Sequence, residues 1–183
     1  MTGCDGNKNP SSDGKDTAPL DVQPDVPLVE APRFVHIVDA PTEQSRVPCV
    51  STHSPGADID AARIFSDPTL TQVAATLTQC RWLTLGTRCE DNFHAEIDAA
   101  EGKPDGNPVA GFVSLNSGSM VCQWSNNAAL SLGMVVQVIE MSSGPDREPY
   151  EVQVCHDEDA LDCGPLVKSD EAKSTFPAGT LLF

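Results

Sequence analysis

Residues 111–140 read GFVSLNSGSMVCQWSNNAALSLGMVVQVIE. Two apolar runs are joined by a polar connection rich in Asn, Ser and Gly. Met120–Trp124 is a short strand candidate, and Met134–Ile139 is the longest aliphatic run in the chain. Gly118 and Gly133 stand just ahead of these runs, where a turn must end and a strand begin. Both runs are too short for amphipathic helices and suit buried strands, so this stretch sets the expectation of a β-rich fold.

Working outward, the same grammar recurs. Phe34–Val38 alternates weakly and opens the folded body as a strand. Arg46–Val50 is a second short extended piece. In GADIDAARIF, Gly56–Phe65, Asp58 and Asp60 lie two apart, so an extended backbone turns both carboxylates to one side and Ile59 to the other. Leu70–Cys80 carries a helical stripe, but the threonines at 69, 71, 76 and 78 favour a strand, which is the reading taken. Arg81–Arg88 reads as a loop bounded by Cys80 and Cys89. Residues 91–101 suit one short helical turn, and KPDGNP at Lys103–Pro108 is an emphatic turn. YEVQVC at Tyr150–Cys155 alternates cleanly, and FPAGTLLF at Phe176–Phe183 reads as a last strand. Many short strands with turns between them and little helix predict an all-β domain, a β-sandwich or jelly roll, spanning residues 34–183 without internal repeats.

Acidic residues outnumber basic ones 27 to 11, for a net charge of -16. That balance opposes nucleic acid as a partner, because a phosphate backbone needs a positive face. It suits a solvated extracytoplasmic surface and supplies carboxylates for cations. No apolar run approaches the ~20 residues of a membrane helix.

Of seven cysteines, Cys4 lies far from the others. The remaining six are an even set in a β-rich chain, which predicts disulfides and an oxidising compartment. Free buried thiols are the alternative. No C-x-x-C pair is present, so zinc and thioredoxin-like chemistry have little support. Local loop closure predicts Cys80 with Cys89 and Cys155 with Cys163, leaving Cys49 with Cys122.

Met1–Cys4 reads MTGC, and Thr-Gly-Cys resembles the end of a bacterial lipobox, where export processing leaves a lipid-modified Cys. Residues 5–32 are rich in Asp, Gly, Asn, Ser and Pro, with too little apolar surface to fold. Pro24, Pro27 and Pro32 favour an extended chain. A lipid anchor at Cys4 on a disordered tether, residues 1–33, is the expected design.

PGADIDA at Pro55–Ala61, EGKPDG at Glu101–Gly106, FVSLNSGS at Phe112–Ser119, and the later VQVIE and EPYEVQVC together resemble a domain of exported lipoproteins and cell-surface proteins of myxobacteria and their relatives. The resemblance covers most of residues 34–183. It implies a galactose-binding-like, discoidin-type β-sandwich at the bacterial cell envelope, and it carries no reaction. The chain departs from that pattern in its six body cysteines and in Gly133-Met134, where the pattern has Gly-Asp.

Candidate chemistry is sparse. Calcium takes about six to eight hard oxygens, and Asp58, Asp60, Asp105 and Glu140 are the expected contributors to a structural site. Turn hydrogen bonds are the competing role for Asp58 and Asp105. An EF-hand loop is absent. His36, His53, His94 and His156 are scattered and lack an H-E-x-x-H motif, so a metalloenzyme has little support. No G-x-S-x-G elbow exists. Trp82 is the aromatic candidate for ligand contact, with loop anchoring as its alternative role. Trp124, in a strand, is expected in the core. These features predict a non-enzymatic module that is membrane-anchored through lipid and binds a glycan or protein partner. The rival expectation is a secreted, glycosidase-like hydrolase whose acidic pair the sequence does not reveal.

Overall fold

A computed structural model describes residues 30–40, 56–86, 94–107, 111–141, 148–169 and 180–182. Nine strands occur in these residues: β1 Phe34–Asp39, β2 Asp58–Phe65, β3 Val73–Thr84, β4 Val113–Ser114, β5 Ser119–Trp124, β6 Val135–Glu140, β7 Tyr150–Cys155, β8 Val167–Lys168 and β9 Thr180–Leu182. Two short 3-10 turns, Ile97–Ala100 and Ser125–Asn127, are the described helical pieces. The fold is all-β, as the turn and strand pattern predicts. The strand order is β8-β7-β1-β5-β3-β2-β6-β9, with β4 alongside β2, and every ladder is antiparallel.

The opening stretch supplies β4, β5 and β6. In β5, Met120, Cys122 and Trp124 face the core, and Trp124 is fully buried. In β6, Val136 and Val138 do the same. These join Val35 and Ile37 of β1, Ile59, Ala62 and Ile64 of β2, and Tyr150, Val152 and Val154 of β7 in one apolar cluster. Strands from both ends of the sheet therefore share a single core. Burial of this apolar face supplies the main driving force of the fold.

Strand β3 is the joint between the two halves. Val73–Thr76 pair with β2, and from Leu77 onward the strand pairs with β5. The register shifts between Thr78 and Arg81, and Gln79 has a positive φ of 49°. This is a β-bulge, in which an extra residue lets the strand bend. Glu101 caps it by accepting a hydrogen bond from the Cys80 N–H at 2.7 Å.

The strand continues through Arg81–Thr84, so the expected loop between Cys80 and Cys89 starts later than predicted. That overturns two of the three expected disulfides. Cys80 is bonded to Cys122 across the ladder, which excludes Cys80–Cys89 and Cys49–Cys122. The physical reason is that facing side chains of an antiparallel pair already lie within about 5 Å, and the bulge sets Cys80 beside Cys122. Cys155 pairs with Cys163 as expected. Cys4, Cys49, Cys89, the extended piece Arg46–Val50 and His53 lie outside the described residues.

Two hairpin loops share one geometry. After β2, Ser66 N–H donates to the Gln72 carbonyl and Leu70 takes a positive φ. After β7, His156 N–H donates to the Asp162 carbonyl and Ala160 takes a positive φ. In each, an Asp accepts the loop's own N–H groups. Asp67 is bonded by Thr69 and Gln72, and Asp157 by Asp159, Leu161 and Asp162. These bonds favour the ionised carboxylates, so both pKa values fall below the usual range, Asp67 chiefly through the Thr69 hydroxyl and Asp157 through the Leu161 and Asp162 N–H groups.

Candidate functional site

Three inward-facing series end at one pole of the core with an acid. In β1 the series is Val35, Ile37, Asp39. In β6 it is Val136, Val138, Glu140. Read backwards along β7, it is Val154, Val152, Tyr150 and then Glu148, two residues ahead of Tyr150. Strand alternation places each acid on the core side, at the strand end. Asp39 and Glu140 are 3% and 7% exposed.

The turn between β4 and β5 closes this pole. The Asp39 carboxylate accepts the Ala57 N–H at 3.1 Å and the Ser117 N–H at 2.5 Å. Asp39 N–H itself donates to the Gly118 carbonyl, and Leu115 N–H to the Ala57 carbonyl. Asn116 and Ser117 both adopt positive φ. A side chain at Gly56 would meet the Asn116 nitrogen at 2.2 Å, and one at Gly86 would meet the Leu115 carbonyl at 2.0 Å. Only glycine lets the start of β2 and the residues after β3 approach the turn this closely. Met141 N–H bonds the Asp58 carbonyl, and Ala40 N–H bonds the Pro149 carbonyl. Ends of β1, β2, β3, β5, β6 and β7 thus converge here, with Ala40, Gly56, Gly86 and Met141 beside them.

The electrostatics follow from that crowding. Burial is the largest cause raising the Glu148 carboxyl, and the charges of Asp39, Asp58 and Glu140 add to it, so its pKa is pushed up to about 8. Asp39 is also raised by burial, against the pull of its two N–H donors. At neutral pH Glu148 therefore holds a proton while its neighbours crowd it with negative charge.

The four expected calcium ligands are divided by the fold. Asp58 and Glu140 belong to this pole, with Asp39 and Glu148, which the sequence reading did not single out. Asp60 and Asp105 meet elsewhere. Asp60 is 2% exposed and accepts the Asp105 and Gly106 N–H groups at 3.3 and 3.4 Å. Burial raises its pKa first, with the Asp105 charge adding a smaller push. The expected shared side of Asp58 and Asp60 does not survive, because Asp60 is the extra residue of a bulge against β6, where Ile59 pairs with Glu140 and Ala61 with Ile139. Asp105 also takes the turn role weighed for it, accepting the Asn107 N–H at 2.7 Å. Among the described residues, no three His, Cys, Asp or Glu side chains are placed to hold one metal ion.

Trp82 sits in strand β3, not in a loop. It packs against the core, and its indole N–H donates to the Ala95 carbonyl at 3.3 Å. The described histidines stay apart: His36 lies in β1, His94 meets Phe112 in a tilted contact with ring centroids 4.2 Å apart, and His156 opens the loop after β7. The missed acids had a signal in the sequence. FVHIVD and EPYEVQV each extend an alternating apolar series by one acid in the same register.

No protein-family model, curated protein or solved structure matches this chain.

Proposed function

We propose that this chain is an exported, lipid-anchored binding module of a bacterial cell envelope. Cys4 carries the lipid, residues 5–33 act as the tether, and a two-layered galactose-binding-like sandwich presents the carboxylate pole. The ligand is a glycan or a protein, held at that pole. The observation that carries this reading is the convergence of six strand ends around Asp39, Asp58, Glu140 and Glu148. Strand ends gathered at one end of a rigid scaffold are where binding surfaces are commonly built. The Cys80–Cys122 and Cys155–Cys163 disulfides support an oxidising compartment. Calcium at millimolar concentration would screen the crowded charges, reaching the half-buried Asp58 before the buried Glu140.

The test is a glycan array probed with the full chain, with and without millimolar calcium. Binding is expected to disappear in Ser117→Arg, which places a bulky cation on the exposed turn of the pole, at an unchanged melting temperature. Glycan binding that Ser117→Arg leaves intact would move the site away from the pole.

A second reading is favoured by one feature. A Glu with a pKa of about 8 within a cluster of carboxylates can serve as a general acid, as in glycoside hydrolysis. Chromogenic glycosides then turn over in the wild type and not in Glu148→Gln. A wild type inert on such a panel removes this reading and leaves the binding module.

A further inference from the structure

On the face of the sheet turned away from the core, one cation stands among apolar neighbours. In β2, Ala62 and Ile64 belong to the core cluster, so Arg63 between them points outward. Val136 and Val138 place Gln137 outward in the same way on β6, and Ala75 and Leu77 place Thr76 outward on β3. The register sets Arg63 directly opposite Thr76 on one side and Gln137 on the other. Facing residues of antiparallel strands share a face, so the three form one polar row across β3, β2 and β6. The flanking rows of β2 and β6 are apolar: Ala61 beside Ile139, and Phe65 beside Val135. Ala61 and Val135 are fully buried and Phe65 nearly so, yet none of the three belongs to the core cluster.

The Arg63 guanidinium is fixed from two directions. Its Nε donates to the Oε1 of Gln137, a side chain that is itself 1% exposed. Its central carbon lies 4.9 Å from the centre of the Phe65 ring, within cation–π range. The Nη donors make no hydrogen bond or ion pair among the described residues, whose ion pairs are Arg81 with Asp159 and Lys168 with Glu151. Glu140, on the same strand as Gln137, is turned to the core side and supplies no counter-ion. The half-buried guanidinium keeps its proton, and neither a neutral amide nor a ring face cancels its charge. Apolar neighbours lower the local dielectric, so a cation held there gains more from an anion than one in open water. Acids outnumber bases 27 to 11 in this chain, yet this oriented cation has no acid of its own among the described residues.

We propose that Arg63 anchors one carboxylate group of a ligand on the outer face of β3, β2 and β6. With Nε held by Gln137 and the plane held by Phe65, the two Nη groups are left to meet the anion. Paired guanidinium N–H groups match the two oxygens of a carboxylate in a planar, two-bond geometry. Thr76 stands beside Arg63 in the row and offers a hydroxyl to the same group. The net charge of -16 repels a polyanion and penalises a singly charged carboxylate far less. This site is separate from the carboxylate pole, whose Asp39 and Glu140 face the core side.

Nitrogen–proton NMR on the full chain reads the Arg63 Nε–H signal and the backbone amides of Arg63, Thr76 and Gln137. Sodium glucuronate offers a sugar carboxylate and sodium N-acetylglycinate a peptide-like one, with sodium chloride at matched ionic strength as the blank. With either carboxylate these signals are expected to move and to saturate at roughly millimolar concentration. The tighter of the two probes names the source of the group. Arg63→Gln loses the saturable amide shift while the dispersed strand signals persist. Arg63→Lys keeps the charge without the fork and binds about tenfold more weakly, and it carries the test alone where Gln disturbs the strand. Shifts that chloride reproduces, shifts that never saturate, or a saturable shift as tight in either variant as in the wild type overturn the proposal. Inorganic phosphate binding more tightly than both carboxylates overturns it too.

Discussion

At the scale of single residues, the acids at the pole are the most consequential feature. Asp39 is held by two backbone donors, which offset part of the burial that raises its pKa, and its role is to bind the starts of β2 and β5 together. Among the causes acting on Glu148 there is burial and like charge but no compensating donor. Its folded pKa, about 8, lies above its unfolded value of 4.5. The folded state therefore retains a proton that the unfolded state loses. The resulting stability is fully present below the unfolded value and is lost as pH rises through about 8. Melting of the wild type is expected to fall between mildly acidic and alkaline buffer. Glu148→Gln should flatten that fall, with a gain of about 1–2 kcal/mol at the alkaline end after solvent screening is allowed for. An equally steep fall in Glu148→Gln would assign the pH dependence to another group. Asp39 and Glu148 were legible only in part. Alternation predicts the face each takes, but not that three strand ends from distant sequence positions meet.

At the scale of elements, β3 decides how the sheet and the disulfides are arranged. Its threonines were enough to predict a strand against the competing helical stripe of apolar residues. Its length was not, because Cys80 and Cys89 suggested a closed loop and the bulge at Gln79 has no sequence signature. The two observed bridges differ in loop length, with sequence separations of 42 for Cys80–Cys122 and 8 for Cys155–Cys163. Chain-entropy reasoning assigns about 4 kcal/mol to the first and about 2.5 kcal/mol to the second. Denaturant unfolding of Cys80→Ala/Cys122→Ala should thus show the larger loss, measured against Cys155→Ala/Cys163→Ala. The reverse ranking would mean that the unfolded chain is not the main seat of the effect. The second pair of variants should also loosen the loop 156–162.

At the scale of the whole molecule, the two ends of β1 have different roles. Near its start, Leu130 N–H bonds the Pro32 carbonyl at 2.9 Å, and Arg33 N–H bonds the Cys155 carbonyl at 3.0 Å. At its end, Asp39 enters the carboxylate pole. Pro32 and Arg33 therefore lie at the pole opposite Asp39. Mass spectrometry of the protein from its own host is expected to show an acylated Cys4. A mature peptide covering residues 1–8 without modification would remove the anchor, while leaving the binding pole to be judged on its own test.

The amino-acid sequence by itself determined the class of structure. Short alternating runs separated by Gly, Pro, Asn and Asp permit strands and turns and little else, because apolar spacing fixes which face is buried. It also determined the local Cys155–Cys163 bridge, whose partners lie close along the chain. Tertiary structure alone decided the rest. Cys80 meets Cys122 because β3 stays paired with β5 beyond a bulge, and Asp58 parts from Asp60 because a second bulge breaks the alternation. Asp39, Glu140 and Glu148 form one site because the strand order brings β1, β6 and β7 to a common end. Each of these depends on which strands are neighbours and in what register. Those are properties of long-range pairing, and no local spacing along the chain encodes them.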